Sequence, residues 1–297
     1  MMNQYIIFSD STCDLSAELR KAYDIEYVQM NYVVDDQEYP ADLDWGIHSA
    51  KEFYDLMRNG KRVRTTQVPR EAFETAFTKT LEAGMDAVYI SCSSALSGSI
   101  GLARLVAQEL SEKYPNNKIY CVDSLCSSLG QGSMVLTAAK LRAEGKSAAE
   151  VAAYVEADRL KVNQAGTVDS MEYLRRAGRI KASKAFFGNL FGIKPIIISD
   201  VIGQNFAVKK TKGAANARKE IANMMAENVI DPENQCLYIT HADVPEVAEQ
   251  LKAEILLQVP FKETHISTIG PIVGASVGPG TIIAFCHGKE VTIEGKE

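Results

Sequence analysis

At residues 91–101 the chain reads SCSSALSGSIG, a hydroxyl-rich turn between two apolar segments of different periodicity. The preceding run, residues 87–90, is typical of a buried parallel strand, and the apolar residues that follow recur at helical spacing as far as Lys113. The first N–H groups of a helix have no intrahelical partner and favour a phosphate or carboxylate. The stretch therefore predicts an α/β fold with a candidate anion site at this turn. Ser and Gly are also ordinary helix-start residues, which leaves a purely structural role open.

The 297-residue chain is long enough for two domains, and its composition is that of a globular protein. A net charge of −6 provides no excess of Lys and Arg for the phosphates of a nucleic acid. The first residues lack the pattern of a secretion signal, and no apolar run approaches the ~18 residues of a membrane span. We therefore expect a cytoplasmic protein without nucleic-acid binding or stable membrane insertion.

Strand and helix patterns alternate to about residue 160, which is typical of a parallel α/β sheet domain. The second half predicts an α+β domain, with a hairpin turn at Gly203 and a glycine-rich loop over residues 270–280. We place these domains at residues 1–163 and 164–297. Within the first, residues 25–34 predict one long strand and residues 38–48 an irregular acidic segment.

Two further polar segments lie next to predicted helices. The sequence DST at residues 10–12 follows the first apolar strand, and Thr65 and Thr66 precede a helix that begins near Pro69. The carboxyl ends of parallel strands meet at one sheet edge, where ligands bind, so these segments are expected to lie near residues 91–101. Helix capping is the alternative role for the two threonines.

The cysteine and histidine residues indicate no metal site. The six cysteines form no CxxC pair, and neither they nor the four histidines have zinc-ligand spacing. The thiols are therefore predicted to be reduced and to fill apolar cores. The sequence also lacks a Walker motif for ATP, so we expect no cofactor.

Taken in order, these motifs make the chain resemble the DegV family over nearly its whole length. The motifs are DST at 10–12, TTQ at 65–67, SSALSG at 93–98, GRI at 178–180, KP at 194–195 and the glycine-rich segment 270–280. The best understood members of this family are the fatty-acid-binding subunits of bacterial fatty acid kinase. The resemblance implies two domains, an N-terminal α/β and a C-terminal α+β domain, with the lipid site between them.

The resemblance also implies a binding protein rather than an enzyme. Such a protein holds a long-chain fatty acid, for example palmitate, stearate or oleate, and presents its carboxyl group to a separate kinase subunit in phospholipid metabolism. By position, the family's carboxyl-binding hydroxyls fall on Thr65 and Ser94, with Thr66 and Ser93 as neighbours. An apolar tunnel would hold the chain, at about 0.8 kcal/mol per buried methylene. One apolar segment is expected near the tunnel or in the ordinary core: Phe186, Phe187, Leu190, Phe191 and Ile193.

Two positions depart from the family pattern. Ser276 stands where the family usually has a His near the carboxyl group, and Lys210 stands where it tends to have an Arg implicated in kinase docking. Arg179 matches the family's other basic surface position, so Arg179 and Lys210 form the predicted docking patch. Ser276 and His241 are candidate supporting groups behind the carboxyl ligands.

Two other functions fit the same residues. One is the binding of another lipid or a small anion, because small hydroxyl sites accept several anions. The other is a Ser hydrolase, since GASVG at residues 274–278 matches the GxSxG pattern around Ser276. A nucleophile elbow needs a strand-to-helix turn, however, whereas Ser276 precedes a Pro-Gly break and a strand. The sequence therefore favours a carrier over a hydrolase.

Overall fold

The computed structural model describes residues 4–182, 186 and 192–295. Its strands are β1 (Tyr5–Asp10), β2 (Ile25–Val28), β3 (Asn31–Val34), β4 (Gln37–Pro40), β5 (Val63–Thr65), β6 (Asp86–Ser91), β7 (Ile119–Asp123), β8 (Val162–Thr167), β9 (Ile193–Ser199), β10 (Asn205–Lys212), β11 (Cys236–His241), β12 (Glu263–Thr268) and β13 (Ile282–His287). Its α-helices are α1 (Ala17–Ala22), α2 (Ala50–Arg58), α3 (Arg70–Glu82), α4 (Ser99–Lys113), α5 (Ser128–Ala143), α6 (Ala148–Asp158), α7 (Met171–Ala177), α8 (Ala214–Asn228), α9 (Pro245–Leu256) and α10 (Pro271–Val277). The predicted α/β class is confirmed.

The first sheet is parallel and has the strand order β2-β1-β6-β7. Its central strands are buried, with Ile7 and Val88 fully covered, and this explains why their sequences are continuous apolar runs. Parallel strands end at the same edge of a sheet. The turns that follow Asp10, Ser91 and Asp123 therefore share one edge, and for the first two of these turns the sequence predicted this.

The second sheet is mixed and has the order β10-β9-β8-β13-β11-β12. Its hairpin of β9 and β10 turns through Gly203, whose φ of +77° suits glycine, and this confirms the predicted turn. A small antiparallel sheet has the order β4-β3-β5. The larger apolar core spans the parallel sheet and the contact with the second sheet, while a smaller core lies under α8 and α9. The edge of the parallel sheet where its strands end therefore faces the second sheet.

Three local predictions are wrong. Residues 25–34 do not form one strand, because β2 ends at Val28 and β3 begins at Asn31 in a different sheet. The segment predicted to be irregular begins inside β4. The glycine-rich segment contains the helix α10, whose first turn accommodates Pro271 because the missing N–H needs no partner there.

The predicted domain boundary at residues 163 and 164 stays a prediction, although β8, the first strand of the second sheet, begins beside it at Val162. Three of the predicted apolar positions, Phe187, Leu190 and Phe191, lie outside the described residues. Within residues 4–182 and 192–295, no helix has the length and apolar character needed to cross a membrane.

Candidate functional site

A cavity of about 240 Å³, here called the central cavity, lies where the edge of the parallel sheet faces the second sheet. The turns after β1, β2, β6 and β7 contribute to its wall, together with α10 and residues of β8, β10 and β13. Its described lining residues are Thr12, Met30, Thr65, Thr66, Gln67, Cys92, Leu96, Ser97, Gly98, Ser127, Gln164, Arg179, Asn205, Ile272, Val273, Ser276, Val277 and Ile283. Open parallel sheets bind ligands at this edge.

One side of the central cavity adjoins the protein interior. There it shares Gln164, Asn205, Val277 and Ile283 with a small cavity of about 20 Å³. The walls of this small cavity include the apolar side chains of Val168, Leu174 and Ile197, all of which are buried. The central cavity therefore adjoins both a hydroxyl-bearing turn and an apolar interior.

The start of α4 holds two of the predicted motifs together. A Cβ atom on Gly98 would crowd Oε1 of Gln67, so the glycine leaves room for that side chain to rest against the helix start. The Ser99 hydroxyl accepts a hydrogen bond from the N–H of Val68 at 3.1 Å and lies 3.0 Å from Oγ of Ser97. These contacts place the TTQ and SSALSG motifs on the same wall.

The two predicted threonines both line the central cavity, but their hydroxyls differ. Thr65 is exposed on β5, and its hydroxyl has no hydrogen-bond partner among the described residues. The Thr66 hydroxyl lies 3.3 Å from both the N–H and the carbonyl oxygen of Asn31, where it ties the end of β5 to β3. Thr65 is therefore the threonine whose hydroxyl is available to a ligand.

The two predicted serines lie elsewhere in the turn. Ser93 is fully buried, and its Oγ accepts a hydrogen bond from the N–H of Ala95 at 3.2 Å. Ser94 is exposed, and its own N–H donates to Asp123 at 3.1 Å. Neither serine is among the described residues that line the central cavity, whereas Ser97 of the same motif is. Sequence reasoning missed Ser97 although it stood in the motif.

Arg179 reaches the central cavity because of a helix cap. Gly178 adopts a left-handed conformation at φ +67°, and the N–H groups of Gly178 and Arg179 bond back to the last turn of α7. The Arg179 guanidinium then donates to the backbone carbonyl oxygens of Leu96 and Ala177. It therefore contacts the SSALSG turn rather than standing apart on the surface.

Ser276 lines the central cavity, but His241 is not among the described lining residues. Ser276 lies near the end of α10, in contrast to a nucleophile elbow, where the serine stands between a strand and a helix start. His241 is buried at the end of β11, where its Nδ1 accepts from the N–H of Val244 at 3.3 Å. Burial lowers the pKa of His241, which favours the neutral ring.

Lys210 and the described apolar candidates lie away from this lining. Lys210 is exposed on β10, with its Nζ 5.0 Å from the ring centroid of Phe186. Phe186 packs against the larger core, and Ile193 is half-buried at the start of β9. None of the three is among the described residues that line the central cavity.

Beneath the cavity lies a closed network of buried polar groups. Asp10 Oδ2 accepts hydrogen bonds from the Tyr89 hydroxyl at 2.7 Å and from the N–H of Cys92 at 3.1 Å. The Thr12 hydroxyl contacts the Asp10 carboxyl group and lies 2.6 Å from Oε1 of Gln131. Burial raises the pKa of Tyr89 well above its ordinary value, so this hydroxyl remains a donor. The groups of this network are bonded to one another, and Thr12 is the member that also reaches the wall of the central cavity.

Asp14 links the parallel sheet to the second half of the chain. It is buried, and its carboxyl group accepts from the Ser128 hydroxyl at 2.5 Å and from the N–H of Gly270 at 2.9 Å. Burial raises the pKa of Asp14 to about 7, although these hydrogen bonds act in the opposite direction. The group is therefore half-protonated near neutral pH.

Sequence reasoning also missed two amides of the central cavity. Gln164 on β8 donates to Asn205 on β10 at 3.3 Å, and Asn205 donates to the carbonyl oxygen of Arg179 at 3.0 Å. A polar residue in a buried strand such as β8 is unusual and could have marked this position. The sequence around its hydrogen-bond partner Asn205 on β10 contains no comparable feature.

A larger cavity of about 360 Å³ lies between α5, α6, β11 and β13. It contains the hydrogen bond between Asp158 and Nε2 of His287, at 2.8 Å, but none of the predicted site residues. Throughout the described part of the chain, no three His, Cys, Asp or Glu residues are grouped as metal ligands. The six cysteines are free thiols and most are buried, as predicted.

The motifs that meet at the central cavity match a known family. The sequence profile of the DegV family, described as uncharacterised proteins, matches residues 4–287. A DegV domain-containing protein of Clostridium perfringens is 34% identical over 287 residues, which cover 97% of this chain and 98% of that protein. The chain belongs to the DegV family. The predicted family membership is thereby confirmed.

Solved DegV structures share the fold. A DegV family protein from Thermus thermophilus, described as binding fatty acid, is 28% identical with a TM-score of 0.86, covering 96% of this chain and all of that one. A stearic acid-binding protein from Eubacterium ventriosum has a TM-score of 0.83 at 21% identity, covering 96% of this chain and 98% of that one. At 21% identity, the similarity to the Eubacterium ventriosum structure is evidence for a shared fold only.

Proposed function

We propose that this DegV protein binds one long-chain fatty acid, such as palmitate, stearate or oleate, and presents its carboxyl group to a separate kinase. The observation that carries the proposal is the central cavity, whose wall holds the Thr65 and Ser97 hydroxyls and adjoins a small cavity with the buried apolar side chains of Val168, Leu174 and Ile197. The fatty acid binding described for the Thermus thermophilus relative supports it.

The acyl chain is proposed to enter between α10 and β13 and to run toward Leu174 and Ile197. Apolar side chains there exclude water, and each buried methylene contributes about 0.8 kcal/mol. The central cavity of about 240 Å³ is smaller than the roughly 300 Å³ at the lower end for ligand sites. We therefore expect side chains along the small cavity to move apart when the chain enters.

The carboxyl group is proposed to lie beside Thr65 and Ser97, with Arg179 nearby. Two hydroxyl donors satisfy a carboxylate by hydrogen bonds, and the guanidinium group adds favourable charge. Ser97 replaces Ser94 in this proposal because Ser97 lines the cavity and Ser94 does not, within the described residues. Ser276 lies on the same wall, in the place where the family usually has a His.

The chemistry is proposed to take place on the kinase. A carboxylate oxygen would attack the terminal phosphorus of ATP, which forms the acyl phosphate and releases ADP. This chain would supply the position of the nucleophile and the exclusion of water from the acyl chain. Arg179 and Lys210 remain the proposed docking cations, and Arg179 would also face the ligand.

Lipid analysis of the purified protein tests this proposal. We expect mass spectrometry of a lipid extract to find about one fatty acid per wild-type protein. Thr65→Val and Ser97→Ala each remove one hydrogen bond, so each should weaken palmitate binding about tenfold. Ser94→Ala is the matched control and should leave affinity unchanged.

Other outcomes separate the alternatives. A wild-type protein that is empty and takes up no added palmitate or oleate would contradict fatty acid binding and favour another anion or lipid. If Ser94→Ala weakened palmitate binding as much as Ser97→Ala does, the proposed position of the carboxyl group would be contradicted. Steady hydrolysis of an ester that Ser276→Ala abolishes would favour the hydrolase.

A further inference from the structure

A second cavity, here called the basic cavity, adjoins the central cavity and has a volume of about 190 Å³. The two cavities share Thr65, Arg179 and Ser276. The described lining of the basic cavity contains no Asp or Glu but five cationic residues: Lys61, Arg62, Arg64, Arg176 and Arg179. Positive charge is thus concentrated directly beside the proposed carboxyl position.

Neighbouring carboxylates neutralise only part of this charge. The pairs are Lys61 with Asp35 at 2.7 Å, Arg64 with Asp36 at 2.7 Å and Arg176 with Glu172 at 3.0 Å. Arg62 and Arg179 have no carboxylate partner within the described part of the chain, and Arg179 donates only to backbone oxygens there. Exposed ion pairs of this kind are weak, so a bound anion can compete for their cations.

Protection of a sheet edge explains part of the pattern. β5 is an edge strand of the small sheet, and charged side chains on an edge prevent pairing with another chain. That role accounts for cations on and before β5 but not for Arg176 and Arg179, which come from α7 and its cap. Cations from two separate elements that converge on one concave space favour an anionic ligand.

We propose that the basic cavity binds the phosphoryl group of an acyl phosphate whose chain occupies the central cavity. This inference rests on the proposed function. In an acyl phosphate, one oxygen separates the phosphorus from the carboxyl carbon. Because Thr65 lines both cavities, a carboxyl group beside Thr65 would have its phosphoryl group within reach of the basic cavity. Phosphate carries more charge than carboxylate, and guanidinium groups bind it through paired hydrogen bonds.

The test compares two ligands that differ in their head group. Palmitate represents the fatty acid, and 2-oxoheptadecylphosphonate, in which a methylene group replaces the bridging oxygen, is a stable substitute for palmitoyl phosphate. We expect Arg62→Gln and Arg176→Gln each to weaken phosphonate binding by about three- to tenfold and palmitate binding by less than about twofold. Arg104→Gln on α4 is the matched control, because it removes an exposed cation that does not line this cavity.

The outcomes distinguish this inference from the proposed function. If palmitate fails to bind the wild type, both the carrier function and the phosphoryl site are contradicted. If palmitate binds but the Arg62 and Arg176 variants change phosphonate affinity no more than Arg104→Gln, only the phosphoryl site is contradicted. If the Arg62 and Arg176 variants lost affinity for palmitate and for the phosphonate equally, the phosphoryl site would also be contradicted, because equal losses would indicate a general charge effect.

Discussion

The turn after β1 and the turn after β6 lie at the same edge of the parallel sheet, and both are rich in hydroxyl groups. In the first, Thr12 also reaches the cavity wall, but the buried side chains of Asp10 and Thr12 are bonded to Tyr89 and Gln131 in distant parts of the chain. In the second, Ser97 is only half-buried and lines the central cavity. The difference indicates that a hydroxyl-rich turn can serve folding or binding, depending on where its hydrogen bonds end.

Asp10→Ala removes the acceptor at the centre of the first turn's network. The substitution leaves the Tyr89 hydroxyl and the N–H of Cys92 buried without their acceptor. We expect the free energy of unfolding to fall by about 3–5 kcal/mol, as chemical denaturation would measure.

Tyr89→Phe is the control for Asp10→Ala because it removes only one donor from the same network. It should lower the free energy of unfolding by about 1–2 kcal/mol. A loss below about 1 kcal/mol in Asp10→Ala would contradict a structural role for the first turn.

The sequence could predict the positions of both turns but not their difference. Buried apolar runs before Asp10 and Ser91 identify the central strands, because hydrophobic pattern is a local property. The group that closes the first network, Gln131, is 119 residues from Thr12 and lies in a helix with no marking motif. Which hydroxyls remain available therefore depends on contacts between distant parts of the chain.

The errors in the predicted fold have a similar origin. A strand pattern over residues 25–34 does not tell which sheet each part joins, so the break before Asn31 was missed. The glycines of residues 270–280 indicated a loop, although Pro271 is also a helix-start signal. The helix there is buried against α7 as well as against α2, β3 and β5, and these long-range contacts are not visible in the local sequence.

The second prediction concerns Asp14, which joins the first turn to Gly270. Its pKa of about 7 in the folded protein lies above the ordinary value of 3.8 for an aspartic acid, so the folded state holds this proton more tightly. Protonated Asp14 therefore contributes fully to the free energy of unfolding below about pH 4, and this contribution is lost as the pH rises toward about 7. The loss reaches about 1.4 kcal/mol per pH unit at most.

Asp14→Asn tests this linkage, because the amide keeps the shape and tolerates the left-handed φ of +51° at this position. We expect the unfolding free energy of the variant, relative to wild type, to rise by about 2–3 kcal/mol from about pH 5 to about pH 7. Above about pH 8 the difference should be constant. Parallel curves for the two proteins over the whole range would contradict the raised pKa.

Thr→Val substitutions in the first turn and on β5, at the wall of the central cavity, are expected to have smaller effects. Thr12→Val removes a buried hydroxyl and leaves Gln131 without its donor, so the free energy of unfolding should fall by about 2 kcal/mol. Thr65→Val keeps the β-branched shape on an exposed strand, and its hydroxyl has no partner to lose among the described residues. Its stability should therefore stay within about 0.5 kcal/mol of wild type. The same denaturation experiment measures both variants. If both lost the same free energy of unfolding, the Thr65 hydroxyl would also serve folding, and the argument that it is available to a ligand would fail.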